Sequence, residues 1–404
     1  MNNLINRPIY LERLKKWKDK ADLIKIVTGI RRCGKSTLFK LFQSYLCDMG
    51  VSQEQIINLN LEDVKNAQLL DYKKLHQYIE SILVKDKINY VFLDEIQLVA
   101  DFPKAINSLR LRENIDLYAT GSNAYMFSQK IITLLSGRFI EIKMQPLSFK
   151  EYYSFVKSSD GGFSAELAFS KYLSNGAFPQ TLLFYDDKSL IRDYLVGLYN
   201  TIIQKDIVLR DQVKDTSRLE NVVKFLFDNI GNETSINNIS KVLLADGRKI
   251  HPQTIESYIQ GLIDCYLIYR TERYDIKGRQ YLKSNSKYYI SDIGLRYALL
   301  GEISTDKGRI LENIVYLELL SKGYRVSVGA IGGKEVDFIA QKPDGIVEYY
   351  QVAQTVQDEN TLKRELAPLS AIDDNYPKFL LTQDDDSVSH KGIQQRNLIQ
   401  WLLG

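Results

Sequence analysis

Gly29-Ile30-Arg31-Arg32-Cys33-Gly34-Lys35-Ser36 is the stretch on which the reading of this 404-residue chain turns. It follows an apolar run rich in β-branched residues at 23–28. It precedes a segment in which Leu38, Leu41, Phe42 and Leu46 recur at helical spacing, so the local order is strand, glycine loop, helix. Two glycines with four residues between them let successive backbone N–H groups wrap a polyphosphate. The helix N-terminus that follows favours negative charge, and a lysine at that point reaches the β and γ phosphates. The expected cradle is Gly29, Ile30, Arg31, Arg32, Cys33, Gly34, Lys35, Ser36 and Thr37, binding ATP, with the Ser36 hydroxyl on Mg²⁺.

Further strand-like runs lie at 56–61, 90–93 and 115–120, alternating with helical stretches near 69–84 and 102–111. Such alternation predicts a parallel α/β sheet with helices on both faces. The run Tyr90-Val91-Phe92-Leu93 ends in Asp94-Glu95, an apolar strand delivering two carboxylates. Asp94 is expected to hold Mg²⁺ and Glu95 to act as general base on the attacking water. The next strand ends in Gly121-Ser122-Asn123, where Asn123 can orient that water or Ser122 and Asn123 can cap a helix. Arg138, just before the last core strand, can reach the γ-phosphate of a neighbouring copy in a homo-oligomer, or is a plain surface arginine.

The bulk properties set bounds. Lys+Arg 53 against Asp+Glu 50 leaves a net charge of +3, so any basic surface for nucleic acid must be local. Cys33, Cys47 and Cys265 follow no ligand spacing, which argues against a disulfide framework or structural zinc and fits a reducing cytoplasm. The charged N-terminal segment lacks the apolar core of a signal peptide, and no run approaches the ~18 apolar residues of a membrane span. A soluble, cytoplasmic protein without a membrane partner is expected.

Near Pro146 the pattern changes, and residues 148–200 read as helical. Three helices and a strand-like run at 267–274, read as a β-ribbon, lie between about 218 and 275 and suggest a winged helix-turn-helix. Its second helix offers Gln253, Thr254, Glu256, Ser257 and Gln260, which is not a basic face. Arg248, Lys249, Arg270, Arg273, Lys277, Arg279, Lys283 and Lys287 gather instead in the turn, ribbon and following loop, with Tyr274 and Tyr281 among them. That composition suits contact with a phosphate backbone. From Gly308 the order helix, three strands, helix, strand marks a second α/β unit. The divisions expected are 1–147, 148–215, 216–304 and 305–404.

The strings GIRRCGKST, VFLDEIQ, ATGSNA, LSGRF, QPLSFKEYY, NGAFPQ, KYYISDIGLR, LENIVYLELL and GKEVDFIA span nearly the whole chain. Together they resemble prokaryotic AAA-type ATPases of the archaeal and signalling branch, whose C-terminal domain has no known role. The resemblance implies an AAA P-loop core, a helical lid in which the Gly176 to Pro179 turn caps the nucleotide, and ATP-dependent conformational change with self-association. The last hundred residues resemble the core of PD-(D/E)xK nucleases, a restriction-endonuclease-like α/β fold. Glu312 lies on the helix, Asp337 on a strand, and Gln351-Val352-Ala353 on the next, where active members carry Glu-x-Lys. Gln351 replaces an acid and Ala353 the lysine, leaving Lys363 or Arg364 as substitutes for its charge. The expected activity is ATP hydrolysis driving a switch or motor on DNA, through the winged helix and C-terminal domain, or on a partner protein. An ATP-dependent nuclease and a slow-turnover scaffold are the rivals.

Overall fold

The computed structural model describes residues 4–124, 133–135, 137–159, 162–245, 247, 250–301, 307–385 and 387–404, the side chains of 283 and 284 excepted. The expectations on Arg248, Lys249 and the Lys283 side chain lie outside the described residues. The chain divides into two compact units, residues 1–145 with 264–266, and residues 146–263 with 267–404.

In the first unit the unbroken apolar runs become strands covered on both faces. β1 (Ile24–Thr28), β3 (Asn89–Asp94) and β4 (Ile115–Gly121) are buried along their whole length, while β2 (Ile56–Asn60) and β5 (Phe139–Lys143) are buried only in part. Their order is β2-β3-β4-β1-β5, and every pairing is parallel. The chain therefore leaves β1 for the far edge and returns through β3, so that β4 separates β1 from β3. A crevice forms above the carboxyl ends of strands at such a reversal. Helix α1 (Pro8–Lys16) precedes the sheet; α2 (Lys35–Asp48), α3 (Tyr72–Ser81) and α4 (Phe102–Arg110) connect its strands. Phe39 and Phe42 of α2 meet Phe92 of β3 and Tyr118 of β4 at ring-centroid distances of 5.1–6.1 Å, which fixes the helix that follows the glycine loop. Each such pair adds about 0.5–1.5 kcal/mol beyond its buried area.

The second unit begins at Pro146 with α5 (Phe149–Ser159), α6 (Ala165–Asn175) and α7 (Lys188–Thr201), then α8 (Thr216–Asp228), α9 (Ile236–Ala245) and α10 (Pro252–Asp264). Side-chain caps at Ser164, Asp187 and Asp215 accept backbone N–H groups at the starts of α6, α7 and α8. Next come β6 (Ile268–Asp275), β7 (Gln280–Ile290), α11 (Ile293–Leu300) and α12 (Lys307–Ser321). After these lie β8 (Arg325–Ile331), β9 (Lys334–Gln341), β10 (Val347–Val352), α13 (Glu359–Ser370), β11 (Lys378–Thr382), β12 (Ser389–His390), β13 (Ile393–Asn397) and α14 (Leu398–Leu403).

One structural expectation needs correction. The β6–β7 ribbon, read as a wing apart from the C-terminal unit, pairs in parallel with β8 through Arg273↔Val328, Tyr274↔Gly329 and Asp275↔Ala330. It is the edge of one eight-stranded sheet, β12-β13-β11-β10-β9-β8-β6-β7, so the division expected at 304 is no division of the sheet. Strand pairing across some fifty residues leaves no mark in local periodicity.

Two of the quoted strings meet within this unit. Asp292, fully buried, caps α11 by accepting from Leu295 N at 2.9 Å and also accepts from Ala177 N at 2.5 Å. Gly176, at φ +78°, has no room for a side chain: a Cβ there would lie 2.5 Å from Asp292 Oδ1. A Cβ on Gly294 would in turn lie 2.6 Å from Gly176 Cα. The glycines of NGAFPQ and SDIGLR are thus a close approach of two backbones around one carboxylate.

Candidate nucleotide site and the C-terminal acid cluster

β1 ends at Thr28, and the loop beyond it is shaped by positive φ: Gly29 at 145°, Arg32 at 68° and Gly34 at 106°. At Gly29 a Cβ would fall 2.1 Å from the Met144 carbonyl oxygen, so only glycine lets β1 and the segment after β5 run this close. The loop is also held from outside. Arg7, 2% exposed at the foot of α1, donates from Nη1 to the Cys33 carbonyl and from Nη2 to the Gln145 carbonyl, each at 2.7 Å. Its guanidinium lies 5.0 Å from the Tyr10 ring centroid, and Tyr10 Oη accepts from Gln145 N at 3.0 Å. A planar fork with two carbonyls to satisfy is a task for arginine. Cys33 is fully buried, and burial pushes its thiol up, so it packs rather than reacts.

Lys35, the first residue of α2, is 4% exposed. Its ammonium donates to the Gly29 carbonyl at 3.0 Å and the Ile30 carbonyl at 3.3 Å, and stands 3.9 Å from Glu95 Oε1. Asp94 ends β3, with the Thr120 hydroxyl donating to its Oδ1 at 2.5 Å and the Ser36 hydroxyl as a further partner. Burial pushes the Asp94 carboxyl up, the two hydroxyls and Lys35 pull it back, and Glu95 pushes it up, leaving it above the usual carboxylate value. Glu95 sits at φ +56°, its N–H donating to Thr120 Oγ1 at 2.8 Å, with the Gln97 amide on its Oε2. Burial pushes its carboxyl up, but Lys35 first, then Gln97, Arg31 and Ser122, hold it below the ordinary value. Three elements therefore bring Lys35, Ser36, Asp94 and Glu95 to one point. This set fits Mg²⁺-ATP: a glycine loop held at positive φ, one ammonium, and a hydroxyl facing a carboxylate.

The remaining expected residues are distributed as follows. Arg31 is on the rim, 3.1 Å from Glu62, and Arg32 is exposed. Asn123 is buried two residues beyond β4, next to Ser122, whose hydroxyl lies 3.4 Å from Gln97 Nε2. Arg138 is exposed at the amino end of β5, and its carbonyl accepts from Ile24 N at 3.0 Å. That is the opposite end of β1 from the loop, so roughly 15 Å of strand separates Arg138 from the phosphate cradle of its own chain. Thr120, Arg7 and Gln97 were missed by sequence reasoning. Only the register Leu93↔Ala119, which carries Thr120 to Asp94, would have found the first.

In the second unit Glu312, Asp337 and Gln351 also come together, but around a lysine the sequence assigned to phosphate contact. Lys287, 4% exposed on β7, pairs with Glu312 at 2.9 Å and Glu335 at 2.6 Å, and Tyr289 Oη donates to Glu312 at 2.5 Å. Burial lowers the Lys287 ammonium, but Glu312, Asp337 and Glu335 together raise it well above the usual value. Asp337 is pushed up by burial and by Glu312, against the pull of Lys287, and accepts from Val352 N at 2.8 Å. Gln351 accepts from Asp337 N at 3.3 Å and donates to Glu365 at 3.0 Å. Lys363 pairs with Glu359 at 2.7 Å and Arg364 with Glu365 at 2.8 Å, both exposed, so neither supplies the charge missing at Ala353. Among the described residues no group of three or more His, Cys, Asp or Glu side chains is arranged to hold a metal, and no helix is long and apolar enough to cross a membrane.

Comparison with known proteins finds an AAA domain over the first unit. A family model described as "AAA domain" matches residues 21–153, and a domain of unknown function, DUF8612, matches residues 166–306. An uncharacterized protein of Haemophilus influenzae is 38% identical over 403 residues, covering 99% of each chain. Among solved structures, AMPPCP-bound DnaA from Aquifex aeolicus is 15% identical with a TM-score of 0.34, covering 65% of this chain and 93% of that one. C. elegans PCH-2 is 17% identical with a TM-score of 0.28; the match covers 37% of this chain and only 45% of that one. At these TM-scores neither likeness bears on function. The full-length match and the domain match, together with a parallel five-stranded sheet carrying the glycine loop, make the conclusion plain: the chain belongs to the family of AAA-domain proteins that includes the Haemophilus influenzae relative.

Proposed function

We propose that this chain is a Mg²⁺-dependent ATPase whose hydrolysis cycle drives a conformational switch acting on nucleic acid or a partner protein. The observation that carries it is the convergence of Lys35, Ser36, Asp94 and Glu95 on one crevice, with the Thr120 hydroxyl joining the Asp94 carboxylate to the Glu95 backbone N–H. Lys35 already donates to carbonyls of the loop and transfers those hydrogen bonds to β and γ phosphate oxygens. Ser36 and Asp94 would hold Mg²⁺, which supplies charge neutralisation on the phosphates. Glu95, kept ionised by its neighbours, accepts the proton of the attacking water, and Asn123 orients that water. Arg138 serves a second copy of the chain, consistent with its distance from its own cradle. The C-terminal unit, whose sheet includes the β6–β7 ribbon, then acts as a nuclease-like docking domain, with α8–α10 as the helical part of a winged-helix element.

The ATP-dependent nuclease is the weaker reading, because Lys287 already occupies the space among Glu312, Glu335 and Asp337. The test is phosphate release and fluorescent-nucleotide binding by the full chain. Lys35→Ala should lose both, since the lysine contacts ground-state phosphates, whereas Glu95→Gln should bind normally and turn over about 100–1,000-fold more slowly. Mixing Arg138→Ala with Glu95→Gln protein should restore part of the rate. Equal loss of binding in both site variants would refute the roles assigned.

A further inference from the structure

The second unit carries a groove of about 720 Å³ under the turn of the β6–β7 ribbon, walled by that turn, by β8–β10 and by the segment after α13. Ion pairing sorts the cations that the sequence gathers here. Arg270 is taken by Glu256 at 3.0 Å, Arg273 by Glu233 at 2.5 Å and Lys287 by the acid cluster. Lys277 and Arg279 of the turn, and Arg325 at the start of β8, are exposed groove residues that make no ion pair within the described chain. Of the groove's acids, Asp374 is engaged by Tyr349 Oη at 2.7 Å and by Lys378 at 3.5 Å, leaving Asp373. The net charge offered to a ligand is positive.

The groove is also aromatic. Tyr281 is 52% exposed and Tyr376 47% exposed, both large rings with accessible surface. Tyr274 meets Tyr281 edge to face at 5.2 Å and holds it upright. Tyr274, Ile276 and Val347 pack on the core formed by Ile331, Ile339 and Ile372, so the floor is apolar and fixed to the sheet. Exposed rings interleaved with unpaired cations are the chemistry of an unpaired polynucleotide, whose bases stack on the rings while its phosphates meet the cations. A duplex keeps its bases in its own stack and gives the rings nothing. An acidic peptide would use the cations and ignore the rings.

We propose that this groove binds single-stranded nucleic acid, with Tyr281 and Tyr376 stacking bases and Lys277, Arg279 and Arg325 on the backbone. The inference rests on the ATPase reading only for its biological use; binding is measured independently. The probe is fluorescein-labelled oligothymidylate of about 20 nucleotides, with oligouridylate and a duplex of the same length in parallel, followed by anisotropy on the full-length chain. Wild type should bind the single strands with a slope near −2 in log K against log salt, three contacts at about 0.7 each, and the duplex about tenfold more weakly. The relative affinity for deoxy- and ribo-oligomers identifies which sugar is preferred. Tyr281→Ala and the pair Lys277→Ala/Arg279→Ala should each lower affinity about tenfold, whereas Arg270→Ala/Arg273→Ala should change it by less than about threefold. Tyr281→Phe, which keeps the ring, should bind as wild type and controls for misfolding. No salt-sensitive binding, equal binding of the duplex, an unaffected Tyr281→Ala, or equally effective displacement by poly-glutamate would each overturn the proposal. ATP hydrolysis measured on the same protein separates the failures: turnover without oligonucleotide binding sinks the groove alone, and absence of turnover sinks the ATPase reading.

Discussion

Two of the buried lysines that face carboxylates, Lys35 and Lys287, behave differently. Lys35 gives its near hydrogen bonds to loop carbonyls and stands 3.9 Å from Glu95, while the carboxylates beside it are held largely by hydroxyls and an amide. Those partners exchange readily for phosphate, metal and water. Lys287 makes charge-paired contacts of 2.9 and 2.6 Å with two carboxylates, Tyr289 adds a third bond, and Gln351 links the Asp337 backbone to Glu365. That cluster is saturated. The same residue types make a site where their strongest partners are replaceable, and a fastening where they are one another.

The largest expected effect breaks the fastening. Lys287→Met should destabilise the second unit by about 3–5 kcal/mol, because buried Glu312 and Asp337, with the half-buried Glu335 beside them, would be left with no cation. Urea melts should show it, and Glu312→Gln in the same background should recover a large part of the loss. A drop below about 1 kcal/mol would mean that the cluster is not a fastening.

Asp292 sharpens the contrast, being a buried carboxylate held by backbone N–H groups of Ala177, Leu295 and Gly294. Burial pushes it up to about 6 from 3.8, against the pull of those groups. The folded state thus binds its proton more tightly than the unfolded chain. Its contribution is fully present below about pH 4 and is lost as pH rises through 6, a total of up to about 3 kcal/mol. Asp292→Asn, which retains the cap, should remove this part of the decline between pH 4 and 7. Identical pH dependence in both proteins would contradict the assignment.

What the sequence disclosed follows from how local each feature is. The glycine loop and Asp94-Glu95 are contiguous strings whose geometry is set within a few residues, and both fall where the reading put them, after β1 and at the end of β3. The crossing order that sets β4 between β1 and β3, and with it the role of Thr120, depends on pairing between Leu93 and Ala119, which no periodicity encodes. Arg7 was invisible for the same reason, acting on a carbonyl 26 residues away and on another 138 away. In the second unit the cations of the ribbon looked alike in sequence. Only the positions of Glu256, Glu233, Glu312 and Glu335 separate paired from unpaired. The strings NGAFPQ and SDIGLR find their account in the close approach of Gly176 to Gly294.

The smallest effect tests whether the first site works through exchangeable partners. Thr120 is fully buried, donates to Asp94 and accepts from the Glu95 N–H, so it orients the Asp94 carboxylate and fixes the backbone that carries Glu95. Thr120→Val keeps shape and removes both hydrogen bonds. Asp94 loses a donor that holds its carboxylate toward Ser36, and Glu95 is freed at a backbone position already at φ +56°. Binding of ground-state nucleotide rests mainly on the loop and Lys35 and should stay within about threefold, whereas turnover should fall about tenfold, ~1.4 kcal/mol of transition-state stabilisation. Thr120→Ser, which restores the hydroxyl, should recover most of the rate. A parallel loss of binding and turnover in Thr120→Val, unrescued by serine, would assign the residue to packing, and the claim that Asp94 and the Glu95 backbone are positioned through one hydroxyl would fall with it.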